Sequence, residues 1–154
     1  MRRIGAIASV LVLFATCLNA QTFEAKNLKG IKTVTIAIDG LSTPQCGLSQ
    51  ADVKTSVKYV VGQSAVNIVD TYLPTVLSVN LILMDDCSAS FVALQLYTPA
   101  TVDETGTLDP TATIWHNGAL MTGPNQRQRI LDKIEEFSKV FVVDWNSVNK
   151  QTAQ

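Results

Sequence analysis

PTVLSVNLILMDDCSASFVALQLYT, running from Pro74 to Thr98, reads as strand, polar turn, strand. Val76 to Met84 is a long apolar run, and Phe91 to Thr98 is its natural antiparallel partner. Between them, Asp85-Asp86-Cys87-Ser88-Ala89 supplies acids and a serine that can bond their own backbone in a tight turn. Side chains alternate across a strand, so Leu77, Val79, Leu81 and Leu83 share one face, as do Val92, Leu94 and Leu96 on the second strand. The opposite face carries Ser78, Asn80, Ile82, Ala93, Gln95 and Tyr97. One oily face and one mixed face predict an antiparallel sheet covered on one side only.

Upstream, Ile31 to Ile38 alternates between apolar and small polar residues, which predicts a half-buried strand ended by Asp39-Gly40. A turn-rich segment, Ser42-Thr43-Pro44-Gln45, leads to Cys46. Ser49 with Asp52 three residues on predicts a helix N-cap and an acidic variant of the capping box. Val53, Val57, Val60 and Val61 then recur at helical spacing until Gly62. Valine is a poor helix former, so burial of that face must hold the helix. Ala65 to Val69 reads as a short strand.

Downstream, Pro99 to Pro110 is rich in Thr and Asp and reads as a surface loop long enough for recognition. Thr111 to Thr122 reads as a second hairpin turning at Asn117-Gly118, the pair favoured by two-residue type I′ turns. After Gly123-Pro124-Asn125, residues from Gln126 to about Val148 form the clearest element, an amphipathic helix whose stripe is Ile130, Ile134, Phe137, Phe141 and Trp145. The expected fold is α+β: a mostly antiparallel sheet with two helices packed on one face and one disulfide. Residues 31–148 form a single domain in this reading, with 21–30 a flexible lead-in and 149–154 a frayed tail.

The first twenty residues read as a signal peptide. Arg2 and Arg3 form the positive start, Ile4 to Leu18 the apolar stretch, and Leu18-Asn19-Ala20 a cleavage site. An uncleaved anchor is one alternative. A lipoprotein acylated at Cys17 is another, although Phe14-Ala15-Thr16 makes a poor recognition sequence for it. Cleavage leaves no transmembrane span and about 134 residues, enough for one real core. Without Arg2 and Arg3 the basic count falls from 12 to 10 against 13 acids, a charge near −3. That balance gives no electrostatic reason for nucleic-acid or anionic-membrane binding. Cys46 and Cys87 remain, an even pair in an oxidising compartment, and are expected to form a structural disulfide. A metal or redox pair would want a closer spacing and more than one histidine.

Catalytic candidates are few. His116 is the only histidine, and a zinc site or a serine or cysteine nucleophile would need more partners than it has. Asp85 and Asp86 are neighbours that point apart in a turn, and the spaced oxygen ligands of a calcium loop are absent. No phosphate-binding glycine loop, nucleophile elbow or zinc-protease motif occurs, so no catalytic residue, metal site or cofactor is assigned. The mixed sheet face is the better candidate: Asn80, Gln95, Tyr97, Thr113 and Trp115 would form an amide, threonine and aromatic surface suited to a partner protein or glycan.

The spacing of several short motifs adds one more clue. Cys46-Gly47 before the first helix, Cys87 between two strands, Thr113-Ile114-Trp115 followed by glycine, and Phe141 with Asp144-Trp145 together resemble a family of small exported bacterial envelope proteins of uncharacterised function. That resemblance implies an envelope location and a disulfide, and no activity. The expected role is a non-enzymatic periplasmic or secreted binding module for an envelope protein or glycan, using the open sheet face or the Pro99–Pro110 loop. On that reading, alanine at Tyr97 or Trp115 weakens capture without unfolding the protein. A small-molecule or lipid carrier, with a pocket between the C-terminal helix and Leu77, Val79 and Leu94, is the alternative. A hydrolase using carboxylates and backbone amides is a third.

Overall fold

The computed structural model describes residues 25–102 and 106–149. The segment read as a signal peptide, residues 1–20, and the last five residues lie outside that range. A short 3-10 turn, Ala25–Leu28, precedes β1 (Thr33–Asp39), α1 (Gln50–Val61), β2 (Asn67–Val69), β3 (Val76–Leu83), β4 (Ala89–Val102), β5 (Thr107–Thr122) and α2 (Gln126–Asn149). The five strands form one sheet in the order β2-β1-β3-β4-β5.

The central hairpin forms as its alternation requires. Leu77 pairs with Leu96, Val79 with Leu94 and Leu81 with Val92, all buried on the face that takes the helices. β1 alternates equally well but runs parallel to both of its neighbours, β2 and β3. A parallel neighbour needs a long crossover, and α1 supplies it between β1 and β2. The antiparallel ladders of β3, β4 and β5 are the longer ones, so the sheet is mostly antiparallel.

Ser49 caps α1 as expected. Its hydroxyl accepts from the Asp52 amide, and the Asp52 carboxylate accepts from the Ser49 backbone at 2.9 Å. Val53, Val57 and Val61 are fully buried, which is how a valine-rich helix survives its low propensity. On α2, the stripe Ile130, Ile134, Phe137, Phe141 and Trp145 is buried. The described part of the lead-in, from residue 25, is better tied than its polarity predicts. Leu28 is buried in the core, Trp145 Nε1 donates to the Ile31 carbonyl at 2.6 Å, and Asn149 donates to the Leu28 carbonyl at 3.0 Å. Asn149 therefore ends a helix rather than starting a loose tail.

Two expectations for the second half fail together. Pro99–Pro110 is not a long loop, and Asn117-Gly118 is not a turn. β4 and β5 are one long hairpin whose ladder runs from Ala89 opposite Thr122 to Val102 opposite Thr107. Asn117 pairs with Leu94 and Gly118 with Ala93, in the middle of the ladder. Gly118 serves space instead of a turn: a Cβ there would lie 3.2 Å from the Phe91 ring and from His116 Nε2. β5 has 16 residues against 14 in β4, and two register shifts, at Leu96/Tyr97 and Thr98/Ala100, absorb the excess. Such bulges sharpen the local twist and reverse the side on which the following residues point.

Gly40 closes β1 with φ at +81°, and a Cβ there would sit 1.8 Å from the Leu81 carbonyl oxygen. The left-handed backbone alone costs a non-glycine residue about 1–2 kcal/mol, and this overlap is with backbone that cannot swing away. Gly40→Ala should therefore lose about 3 kcal/mol, read as a lower urea midpoint. Gly30 has φ at +83° but open space around it. Gly30→Ala should lose only the backbone share, and equal losses at both sites would refute the steric account.

The disulfide joins Cys46, just before α1, to Cys87 in the β3–β4 turn, with an S–S distance of 1.99 Å and Cα atoms 5.6 Å apart.

Candidate binding face

Both helices pack on one side of the sheet and leave the other side open. Residues of even parity on β3 and odd parity on β4 reach that open side, as their alternation requires. Asn80 Nδ2 donates to Gln95 Oε1 at 2.7 Å, and the Tyr97 hydroxyl donates to the same oxygen. Three of the residues expected on this face are thus drawn into one hydrogen-bonded cluster. Ser78, on the same side, donates to Asp39 Oδ2 at 2.6 Å.

Thr113 stays with this group, because it lies opposite Tyr97. Trp115 does not. It pairs with Leu96 on the helix side and is only 2% exposed. The physical reason is the bulge at Ile114: this one extra residue lies between the β5 partners of the adjacent residues Leu96 and Tyr97, so Thr113 and Trp115 point to opposite faces. Trp115 Nε1 donates to Asp144 Oδ2 at 2.9 Å, and its ring meets Phe141 edge-on with centroids 5.3 Å apart.

A groove of about 250 Å³ opens on the free side. Ala37 and Ser78, paired across β1 and β3, form a low floor because both are small. Tyr97 makes one wall. Tyr72 and Pro74, from the segment between β2 and β3, and Pro110 of β5 complete the rim, with Asp39 at one end. Tyr72 is 89% exposed. At the opposite, disulfide end of the same face, Ile82, Phe91 and Leu120 line up across three strands, and Ile82 and Leu120 are largely exposed.

Other candidates settle into quieter roles. His116 lies on the open side opposite Gln95, and burial pushes its pKa below the ordinary histidine value. The Asp86 carboxyl is held below the usual carboxylate range by hydrogen bonds from the Ser88 side chain and backbone, as befits a turn residue. Among the described residues no cluster of histidine, cysteine and acidic side chains could hold a metal ion. No described helix is long and apolar enough to cross a membrane. The space between α2 and the sheet is filled. Leu77, Val79 and Phe141 have no accessible surface, Leu94 has 1%, and all four belong to one core cluster. A side chain without accessible surface borders no void that water could enter, so these residues do not line the carrier pocket expected there.

Asp39, Tyr72 and Pro74 were not singled out by sequence, and Pro110 only as the end of the expected recognition loop. Asp39 continues the alternation of Thr35 and Ala37 and could have been read onto the open side. Tyr72 and Pro74 are placed by the segment between β2 and β3, which leaves no local signal, and Pro110 reaches the groove on a bulged strand rather than in a loop.

No protein family matches the chain, and neither does any curated protein. Among solved structures, the chain is similar to the PelC dodecamer from Paraburkholderia phytofirmans, with 15% identity, a TM-score of 0.44, and coverage of 73% of this chain and 87% of that one. It is also similar to a minor lipoprotein from Acinetobacter baumannii, with 13% identity, a TM-score of 0.36, and coverage of 77% and 93% respectively.

Proposed function

We propose that this chain is a non-enzymatic, exported binding module, working in the periplasm or outside the cell, that takes an envelope partner on its open sheet face. The observation that carries this reading is the cluster of Asn80, Gln95 and Tyr97, already fixed by mutual hydrogen bonds on a face that neither helix covers. Preorganised polar groups beside exposed aromatic and apolar surface are what a recognition surface requires, because little side-chain freedom is lost on docking. The disulfide supports an oxidising compartment, as does the signal-like start of the sequence. The resemblance to small exported envelope proteins points the same way.

Crosslinking of the mature protein in envelope extracts tests this. Wild type should capture a defined partner, and Gln95→Lys, which puts bulk and charge at the centre of the open face, should abolish capture while the circular dichroism spectrum stays native. Tyr59→Lys, on the helix side and 66% exposed in the wild type, should capture normally. Loss with the second variant and not the first would move the site to the helices.

A further inference from the structure

The groove between Tyr72 and Tyr97 has a chemistry narrower than the face around it. Its rim is made of two tyrosines and two prolines, flat apolar surfaces standing above a floor of Ala37 and Ser78. At about 250 Å³ it lies below the range of cavities that enclose whole small-molecule ligands, and suits one or two residues of an extended chain. Aromatic-lined shallow grooves of this kind read proline-containing segments, whose stiff polyproline conformation costs little entropy to bind.

Charge selects further. Among the described residues, Asp39 is the single charged one lining the groove, and no lysine or arginine lines it. Its Oδ2 accepts from Ser78, and its Oδ1 has no partner among the described residues. An anionic ligand would meet an uncompensated carboxylate, whereas a lysine or arginine side chain would pair with it. A glycan fits less well. It needs several donors and acceptors for its hydroxyls, and here the Tyr97 hydroxyl proton is already given to Gln95, while the donors that Asn80 and Gln95 retain belong to residues that do not line the groove.

We infer that this groove binds an extended, proline-containing peptide segment and places a lysine or arginine of that segment against Asp39. This rests on the binding-module reading and names the chemistry of the ligand. The probe is a synthetic ten-residue peptide with prolines flanking one arginine, titrated into the intact, disulfide-bonded protein and followed by amide NMR shifts. Shifts should concentrate at Ala37, Ser78 and Tyr97. Tyr72→Ala should weaken binding about tenfold, as loss of an exposed aromatic anchor does. Asp39→Asn should weaken it about threefold at low salt, the size of an exposed ion pair, and should have no effect on a peptide with alanine in place of arginine. No shifts at the groove at millimolar peptide, equal binding of the alanine peptide by the wild type, or groove shifts with chitooligosaccharide instead would each overturn the inference. If the peptide fails while open-face capture by the wild type is still lost in Gln95→Lys, the binding module stands and only the ligand assignment falls.

Discussion

Trp115→Ala should unfold the protein or leave it close to unfolding. Truncating a buried tryptophan costs about 3–5 kcal/mol through lost transfer energy and an unfilled cavity. Net stabilities of single domains are about 5–15 kcal/mol, so the loss is a large share of the total. Trp115 is 2% exposed, stacks edge-on against Phe141 and donates to Asp144, so three favourable contributions go at once. Trp115→Phe separates them. It keeps an aromatic ring near Phe141 and removes the indole donor, and half-buried Asp144 can turn to water. That variant should lose only about 1–2 kcal/mol. Urea midpoints of the two variants decide the matter. A native-like midpoint for Trp115→Ala would put the ring back on the open face and undo the bulge assignment at Ile114.

Reduction of the Cys46–Cys87 bridge, or its replacement by serines, should cost nearly as much. Closing a loop between cysteines 41 residues apart is worth about 4 kcal/mol in the chain-entropy description. The bridge ties the approach to α1 to a turn that is already closed by its own backbone, with the Cys87 amide donating to the Met84 carbonyl at 2.9 Å. Its contribution therefore lies mainly in restricting the unfolded chain rather than in shaping the folded turn. Unfolding with and without reductant measures it. A difference under about 1 kcal/mol would mean that the unfolded chain is compact without the bridge.

The elements that could be read in advance are those whose period carries the whole message. α2 is set by a stripe of large residues at helical spacing, and the β3–β4 hairpin by strict alternation on both strands. The disulfide followed from parity and compartment. β5 was misread because a short local signal, Asn117-Gly118, outweighed a long-range fact: a small residue is needed under the Phe91 ring and beside His116. Asparagine-glycine favours a turn only where both residues adopt left-handed backbone, and neither residue does here. The parallel setting of β1 was equally invisible, since alternation is the same whichever way a neighbour runs. At the candidate site, Asn80, Gln95 and Tyr97 were legible because they share one parity on an unbroken hairpin. Trp115 was placed on the wrong face because the bulge shifts parity by one, and an extra residue in a strand has no sequence mark.

The contacts at the two ends of the described chain have a consequence for how the protein is made. Gly30 N–H donates to Asn149 Oδ1 at 2.9 Å, and Ile31 is bonded by Trp145, so the start of the described chain is held by the last turns of α2. A chain synthesised from its N-terminus thus reaches residue 140 with its sheet complete in sequence, but with Leu28 unsealed and neither Phe141 nor Trp145 yet present. The core therefore stays incomplete until α2, which supplies Ile130, Ile134, Phe137, Phe141 and Trp145, has been made.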